Sequence, residues 1–268
     1  MALPRDIIDT LARRLDDAER SCTQLRQFSL AHPDMTIDDG YAVQKAWVAR
    51  KTAAGRHVIG HKIGLTSRAM QRATSITEPD YGVLLDDMLF TTGDTLPFDR
   101  FIEPRIEVEL AFVLREALAG PGVTLEQVLA ATAYVVPALE LIDARIDRID
   151  AASGMTRKVF DTIADNAANA AIIVGDIHTP PDAHDWPWAS AILRRNGGIE
   201  ESGVAAAVLE HPGNGVAWLA NKLAPHGVAL EAGQIVLGGS FTAPVTVARG
   251  DDFLADYGSL GMIAARFA

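Results

Sequence analysis

The chain has 268 residues, of which 24 are Lys or Arg and 35 are Asp or Glu, giving a formal net charge of −11. Hydrophobic residues make up 49% and charged residues 22%, which is typical of a globular protein with a sizeable core and excludes a disordered chain. The acidic balance argues against a broad nucleic-acid interface, and no apolar run approaches the ~20 residues of a membrane helix. No secretory signal is visible, and the single Cys22 fits a reducing compartment. We therefore expect a cytoplasmic protein.

Helices are predicted for the N-terminal part of the chain. Apolar residues recur at three- and four-residue spacings within residues 5–21. A second helix is predicted to begin after Thr36, where Thr-x-x-Asp forms a capping box, and to end near Gly55. We expect these helices, in residues 1–56, to pack on a β-rich catalytic core of residues 57–268.

Strands dominate the prediction for that core. Asn196-Gly197 predicts a hairpin turn within residues 188–208, and short helices are predicted after Thr124 and over residues 214–223. Regular alternation of strands and helices is missing, so the predicted fold class is α+β. The further predicted strands are residues 58–64, 104–114, 134–142, 235–237, 245–247 and 262–264.

Three glutamates on buried strands are the most informative chemical feature. Glu107 and Glu109 lie on one face of their strand, about 7 Å apart, and Glu140 is flanked by leucines in another. Buried carboxylates at this spacing repel each other and require a cation; an oxygen-only set suits Mg²⁺, Mn²⁺ or Ca²⁺ rather than Zn²⁺. The alternative is a structural salt bridge from Glu107 to Arg105 or Lys62, with Glu140 on an edge strand. Glu-x-Glu alone leaves both interpretations open.

Four further residues are candidates for chemistry or binding. Lys62 lies between two glycines in an apolar strand, which suits an acid, a base or a fixed cation, or else an ion pair with a glutamate. Asp80 lies in a predicted turn, Glu-Pro-Asp-Tyr-Gly, as a general base or as a turn former. Gly239 and Ser240 follow an apolar strand and either offer backbone N–H groups to a carboxylate or form a tight turn.

Seven sequence motifs together carry a resemblance to a known family. The chain resembles the hydratase/decarboxylase family of catechol meta-cleavage pathways, within the fumarylacetoacetate-hydrolase-like superfamily, over essentially its whole length. The motifs are Gly60-His-Lys-Ile-Gly-Leu-Thr-Ser67, Glu78-Pro-Asp-Tyr-Gly82, Pro104-Arg-Ile-Glu-Val-Glu-Leu-Ala-Phe-Val113, Pro137-Ala-Leu-Glu-Leu-Ile-Asp143, Asp161-Thr-Ile-Ala-Asp-Asn-Ala-Ala-Asn169, residues 211–225 and Gly233-Gln-Ile-Val-Leu-Gly-Gly-Ser-Phe-Thr242.

The resemblance implies a fold, a metal and a reaction. The implied fold is a β-rich mixed-sheet roll with a helical N-terminal region. Glu107, Glu109 and Glu140 match the family's ligands for Mg²⁺, for which Mn²⁺ can substitute, and Lys62 and Asp80 match positions with acid/base roles. Within the family the likeness is to members that hydrate a seven-carbon 2-hydroxydienedioate. A homo-oligomer, pentameric or decameric, is implied as well.

A dianionic substrate requires a cation at its far carboxylate, because a buried unpaired charge is unfavourable. We expect Arg157 and Lys158, in a predicted mobile loop, to supply this positive charge. Gly239 and Ser240 are predicted as further substrate-binding residues. The alternative is an exposed basic loop without a ligand, which would make Arg105 or Arg68 the next candidates. A 4-oxalocrotonate-type decarboxylase, a 2-hydroxypenta-2,4-dienoate hydratase, a C–C bond hydrolase and a non-catalytic binding protein on the same fold stay open as alternative functions.

Overall fold

Two β-sheets form the framework of the protein in the computed structural model, which describes residues 2–68, 71–72 and 76–268. The larger sheet has eight strands in the order β2-β1-β10-β5-β6-β7-β3, with β11 also paired to β5. The smaller sheet has five strands in the order β4-β13-β12-β8-β9. The strands are β1 Val58–Gly64, β2 Asp80–Leu85, β3 Leu89–Thr91, β4 Thr95–Leu96, β5 Arg105–Leu114, β6 Thr132–Ile142, β7 Asn169–Val174, β8 Ser190–Arg195, β9 Gly198–Val204, β10 Ile235–Leu237, β11 Val245–Thr246, β12 Asp252–Asp256 and β13 Met262–Phe267.

Helices precede and interrupt these strands. The Thr36 hydroxyl accepts a hydrogen bond from the Asp39 N–H at 3.2 Å, and the Asp39 carboxylate accepts one from the Thr36 N–H at 2.9 Å, so the predicted capping box is confirmed. Within the described ranges, no helix is both long enough and apolar enough to cross a bilayer. The helices are α1 Arg5–Ser21, α2 Phe28–Ala31, α3 Ile37–Ala53, α4 Leu125–Ala131, α5 Val159–Ala164 and α6 Gly213–Leu223.

The predicted α+β class with mixed sheets and an N-terminal helical region is confirmed. The hairpin around Asn196-Gly197 joins β8 to β9, as its turn residues predict. The turn predicted for residues 78–82 is wrong from Asp80 onward, because Asp80 is the first residue of β2 and pairs with Gly64 of β1. The pairing of β2 with β1 is what holds this segment extended, and no local pattern in five residues shows it.

The helical region packs against the larger sheet through an apolar cluster. Leu11 and Leu15 of α1 are buried beside Trp47 of α3, and this cluster also contains Leu85 at the end of β2 and Met88 in the turn that follows. Burial of these side chains on folding supplies most of the stability of such helices. The division of the chain into residues 1–56 and 57–268 stays a prediction.

Arg145 joins the helical region to the sheet. Its side chain is 2% exposed, forms an ion pair with Asp165 and donates to the backbone oxygens of Asp165 and Asn169 at 2.8 and 2.9 Å. The guanidinium also lies 5.4 Å from the ring centre of Trp47 and 3.6 Å from the carboxylate of Glu19. One buried cation thus connects α1, α3 and the segment before β7.

We predict that Arg145→Met lowers the free energy of unfolding by about 3–5 kcal/mol, because Asp165 is left as an unpaired buried charge. Urea denaturation measures this loss. The double variant Arg145→Met/Asp165→Asn should recover part of it, and Arg20→Met, at a side chain that is 67% exposed, should change stability by no more than about 0.5 kcal/mol. Equal stability of the Arg145 and Arg20 variants would contradict this role.

Candidate metal centre and active site

Strand register brings the three predicted glutamates together on one face of the larger sheet. Glu107 of β5 lies directly opposite Glu140 of β6, and Glu109 is the next residue of β5 on the same face. One carboxylate oxygen from each of the three lies within 4.8 Å of the others. Glu140 and Glu109 are 0% and 1% exposed, and Glu107 is half-buried.

Neighbouring donors fix the orientation of the two buried carboxylates. The Gly239 N–H donates to Glu109 Oε2 at 2.9 Å. Glu140 Oε1 accepts from Asn169 Nδ2 at 2.9 Å and lies 3.1 Å from the ammonium of Lys62. Because these contacts use specific oxygens, they restrict the rotation of both carboxylates and present the cluster in one arrangement.

Electrostatic repulsion within the cluster is strong. Burial raises the pKa of Glu107 and of Glu109, and the nearby charge of Glu140 raises both further. Burial alone would lower the pKa of Lys62, but Glu140 and three other carboxylates raise it above its usual value, so the ammonium stays charged. A single lysine faces four acidic groups, counting Asp80, and the set of carboxylate oxygens fits a hard divalent cation.

Asp80 completes the site from the neighbouring strand. It is 2% exposed, and its Oδ1 has no hydrogen-bond partner in the part of the chain that the structure describes. A Cβ at Gly64 would lie 2.3 Å from Asp80 Oδ1 and 3.4 Å from Lys62 Nζ, so glycine at this position lets the carboxylate approach. Burial raises the pKa of Asp80, and Lys62 partly offsets that rise. The free oxygen is suited to exchanging a proton.

The loop after β10 supports the cluster. Gly239 has φ +123°, which favours glycine, and a Cβ there would lie 2.5 Å from the Thr66 hydroxyl oxygen. The Ser240 hydroxyl donates to the Thr242 oxygen at 2.9 Å. The Gly239 N–H thus donates to a carboxylate of the cluster. Contacts of Gly239 and Ser240 with the substrate stay predictions.

The predicted basic pair divides in the structure. Arg157 is half-buried, donates to the Ile146 oxygen at 3.3 Å and lies 3.8 Å from Asp165. Lys158 is exposed, with its ammonium 5.5 Å from the ring centre of Phe160. The two cations therefore do not share one environment, and Arg157 is the one that lies near Asp80, whose pKa it lowers against the effect of burial. The mobility predicted for their loop stays a prediction.

Asn169 is a site residue that sequence reasoning missed. The amide-rich run before β7 suggests helix capping, and Asp161 does accept from the Lys158 N–H at 2.9 Å at the start of α5. Asn169 instead is fully buried and contacts Glu140. A usable signal was its position immediately before the apolar stretch of β7, which makes it a strand residue rather than a capping residue.

Known proteins resemble this chain over most or all of its length. It is 61% identical over 257 residues, 96% of both chains, to a 2-oxo-hept-4-ene-1,7-dioate hydratase of Escherichia coli. A 4-oxalocrotonate decarboxylase of Pseudomonas putida G7, solved with magnesium and adipate, is 34% identical with a TM-score of 0.94 over 100% of this chain and 99% of that one. A fumarylpyruvate hydrolase of Pseudomonas aeruginosa, solved with Mn²⁺ and pyruvate, shares the fold at 18% identity, with a TM-score of 0.58 over 78% and 88% of the two chains. No family model matches the sequence.

We predict that Glu109→Gln abolishes stabilisation by divalent cations while the protein stays folded, because a neutral amide replaces one of three charged ligands. The rise in melting temperature on adding Mg²⁺, together with calorimetric titration, measures the effect. Glu116→Gln, at an exposed residue just beyond β5, is the matched control and should bind as the unaltered protein does. Normal Mg²⁺ binding by Glu109→Gln would rule out this cluster as the ion's site.

Cation binding should also strengthen as the pH rises. The pKa values of Glu107 and Glu109 are raised in the folded state, so their contribution to the stability of the metal-free protein is present below about 4.5 and is lost as the pH rises through the raised values. An incoming cation must displace the same protons, so the Mg²⁺-induced rise in melting temperature should be larger at about pH 8 than at about pH 6. A rise that does not change with pH would contradict protonated ligands in the metal-free protein.

Proposed function

The chain belongs to the hydratase/decarboxylase family of the fumarylacetoacetate-hydrolase-like superfamily, and we propose that it hydrates 2-oxohept-4-ene-1,7-dioate to 4-hydroxy-2-oxoheptane-1,7-dioate. The dienol form of this substrate is 2-hydroxyhepta-2,4-dienedioate. The observation that carries the proposal is the convergence of Glu107, Glu109 and Glu140 with Lys62 and Asp80 on one buried sheet face.

The bound ion in this proposal is Mg²⁺, with Mn²⁺ as a substitute, held by Glu107, Glu109 and Glu140. The fit rests on the oxygen-only donor set, the mutual proximity of the three carboxylates and the raised pKa of Glu107 and Glu109 in the metal-free protein. When bound, such an ion supplies Lewis acidity towards the oxygens of a 2-oxo acid.

Lys62 is proposed to stabilise negative charge on the C2 oxygen of the substrate. Ketonisation of the dienol moves the 2-hydroxyl proton to C5 and leaves a 2-oxo-3-enoate that accepts water at C4. Lys62 stays protonated beside the carboxylates and is fixed by its 3.1 Å contact with Glu140, so its charge needs no rearrangement during reaction. This preorganised ammonium assists both steps, because each passes through negative charge on that oxygen.

Asp80 is proposed to move the protons. In hydration, the water oxygen bonds to C4, one water proton leaves, and C3 gains a proton. Asp80 Oδ1 has no hydrogen-bond partner among the described residues, and burial raises the pKa of this carboxyl, so the group is able to accept the water proton and return it to carbon.

The remaining parts of the proposal concern substrate contacts and assembly. Gly239, Ser240, Arg157 and Lys158 are proposed to contact the substrate, of which Arg157 has the support of lying near Asp80. We also propose a homo-oligomer, pentameric or decameric, in keeping with the family resemblance.

Mass analysis of the product tests the reaction. Incubation of the seven-carbon dienol with Mg²⁺ should give a product heavier by one water, as ultraviolet absorbance of the diene falls. The second candidate is decarboxylation, which the TM-score of 0.94 with a decarboxylase supports. It is tested on the six-carbon 2-oxo-3-enedioate, whose far carboxylate leaves from the carbon conjugated with the C2 carbonyl and would give a product lighter by one carbon dioxide. If the absorbance and the amount of substrate both stay constant, the result favours a non-catalytic protein.

We predict that Lys62→Met lowers kcat on the order of 10²-fold or more, because the fixed positive charge at the reacting oxygen is lost. Mg²⁺ affinity should be unchanged or stronger, since a competing cation beside Glu140 is removed. Stopped-flow turnover and calorimetric titration measure the two effects separately. Lys45→Met, at an exposed position of α3, is the control. Unaltered kcat in Lys62→Met would return this residue to a structural role.

A further inference from the structure

The direction in which the substrate extends from the glutamate cluster follows from what occupies each end of the sheet face. Beyond Glu109, the next row of this face begins with Lys62 of β1, whose ammonium is held by Glu140, and continues through three apolar side chains, Leu237, Ala111 and Val136, paired in register across β10, β5 and β6. All three are buried, at 0%, 0% and 2% exposure. The apolar part of this row is filled and its lysine is already paired with Glu140, so a diacid bound at the cluster must extend towards the start of β5.

Arg105 is the residue that lies in that direction. It is the first residue of β5 and shares its face with Glu107. Its side chain is half-buried, and no other described residue forms a hydrogen bond or ion pair with its guanidinium. Its charge acts against the rise that burial causes in the pKa of Glu107 without forming an ion pair with that carboxylate, so the guanidinium is available to an incoming anion.

Arg148 adds a second positive charge at the same end. Glu103 holds it through contacts of 2.6 Å from Nη1 to the carboxylate and 3.1 Å from Nη2 to the backbone oxygen. The Arg157 N–H donates to the Arg148 oxygen at 2.9 Å, which fixes the loop beside β5. Burial lowers the pKa of Arg148, the guanidinium of Arg105 lowers it further, and Glu103 only partly compensates. Two arginines thus lie close enough to repel each other, and the half-exposed Glu103 pairs with Arg148 alone among the described residues.

We propose that Arg105, supported by Arg148, binds the far carboxylate of a dicarboxylate substrate and so selects diacids over monoacids. This rests on the proposed function for the identity of the reacting end. Six bonds separate C1 from C7, as many as in two residues of extended main chain, which span about 7 Å. Glu107 and Arg105 are separated by the same two-residue repeat of β5, so the spacing of the two sites matches a seven-carbon diacid. Arg157 is engaged with Ile146 and Asp165, so its proposed contact with the substrate lies elsewhere than at the far carboxylate.

The experiment compares two substrates in matched variants. The kcat/KM is measured for the seven-carbon diacid and for its five-carbon monocarboxylate analogue in the unaltered protein, Arg105→Gln, Arg105→Lys and Arg148→Gln. Arg105→Gln should lower the diacid value by about 10- to 100-fold and leave the monoacid value nearly unchanged, as expected for loss of one charge-assisted contact. For Arg105→Lys, the kcat/KM for the diacid should lie between the values of the unaltered protein and of Arg105→Gln. Arg266→Gln, at a side chain that is 64% exposed beside Asp252 in the smaller sheet, is the control.

Inhibitor binding provides a measurement that needs no turnover. In the Mg²⁺-loaded protein, adipate should bind more tightly than pentanoate, and Arg105→Gln should remove that difference without changing Mg²⁺ affinity. Equal losses for diacid and monoacid, or an unchanged preference for adipate, would overturn the assignment. If the unaltered protein hydrates neither substrate, the proposed function fails, but the adipate measurement still decides the role of Arg105. Circular dichroism verifies that each variant is folded.

Discussion

Repulsion among buried carboxylates is the constraint on which this site depends. The sheet places Glu107 opposite Glu140 and Glu109 one step along, and hydrogen bonds from Gly239 and Asn169 hold the buried pair in place. Such an arrangement is unfavourable in isolation, as the raised pKa of Glu107 and Glu109 shows. The fold retains it because strand pairing over the ten residues of β5 fixes the backbone independently of these side chains. Stability of the sheet therefore supports a local arrangement that only a cation makes favourable.

Small residues at close approaches make the convergence sterically feasible. Gly64 leaves the space into which Asp80 reaches beside Lys62, and Gly239 leaves the space that Thr66 occupies. A Cβ at these positions would lie 2.3 Å from Asp80 Oδ1 and 2.5 Å from the Thr66 hydroxyl oxygen, too close for either group to stay in place. A misplacement of about 1 Å is enough to disrupt orientation-dependent catalysis. The absence of a side chain at Gly64 and Gly239 is therefore required for the groups around them to lie where they do.

Sequence reasoning located the glutamates because strand periodicity alone places residues two apart on one face. Neighbouring strands are not specified by local pattern, so the pairing of β5 with β6, which sets Glu107 against Glu140, became visible only in the structure. The same limit explains two errors. The local pattern around Asp80 indicates a turn because its partner, Gly64, lies on a strand well before it in the sequence. The amide-rich run around Asn169 indicates capping because its partner, Glu140, precedes it by 29 residues. Long-range pairing, rather than propensity, decided both positions.

Charge balance separates the chemistry of the site from its selectivity. Four carboxylates face one lysine, so a divalent ion would still leave the inner site with a small negative charge, which does not attract a dianion. A monoacid needs only the ion and Lys62, whereas a diacid needs further positive charge away from the cluster. Arg105 and Arg148 provide it on the rim, in the first residue of β5 and in the loop after β6. Because Arg105 is the first residue of β5 and Arg148 lies in a loop, replacing either side chain can change the preference for one acid over another without moving the paired strands that hold the three glutamates.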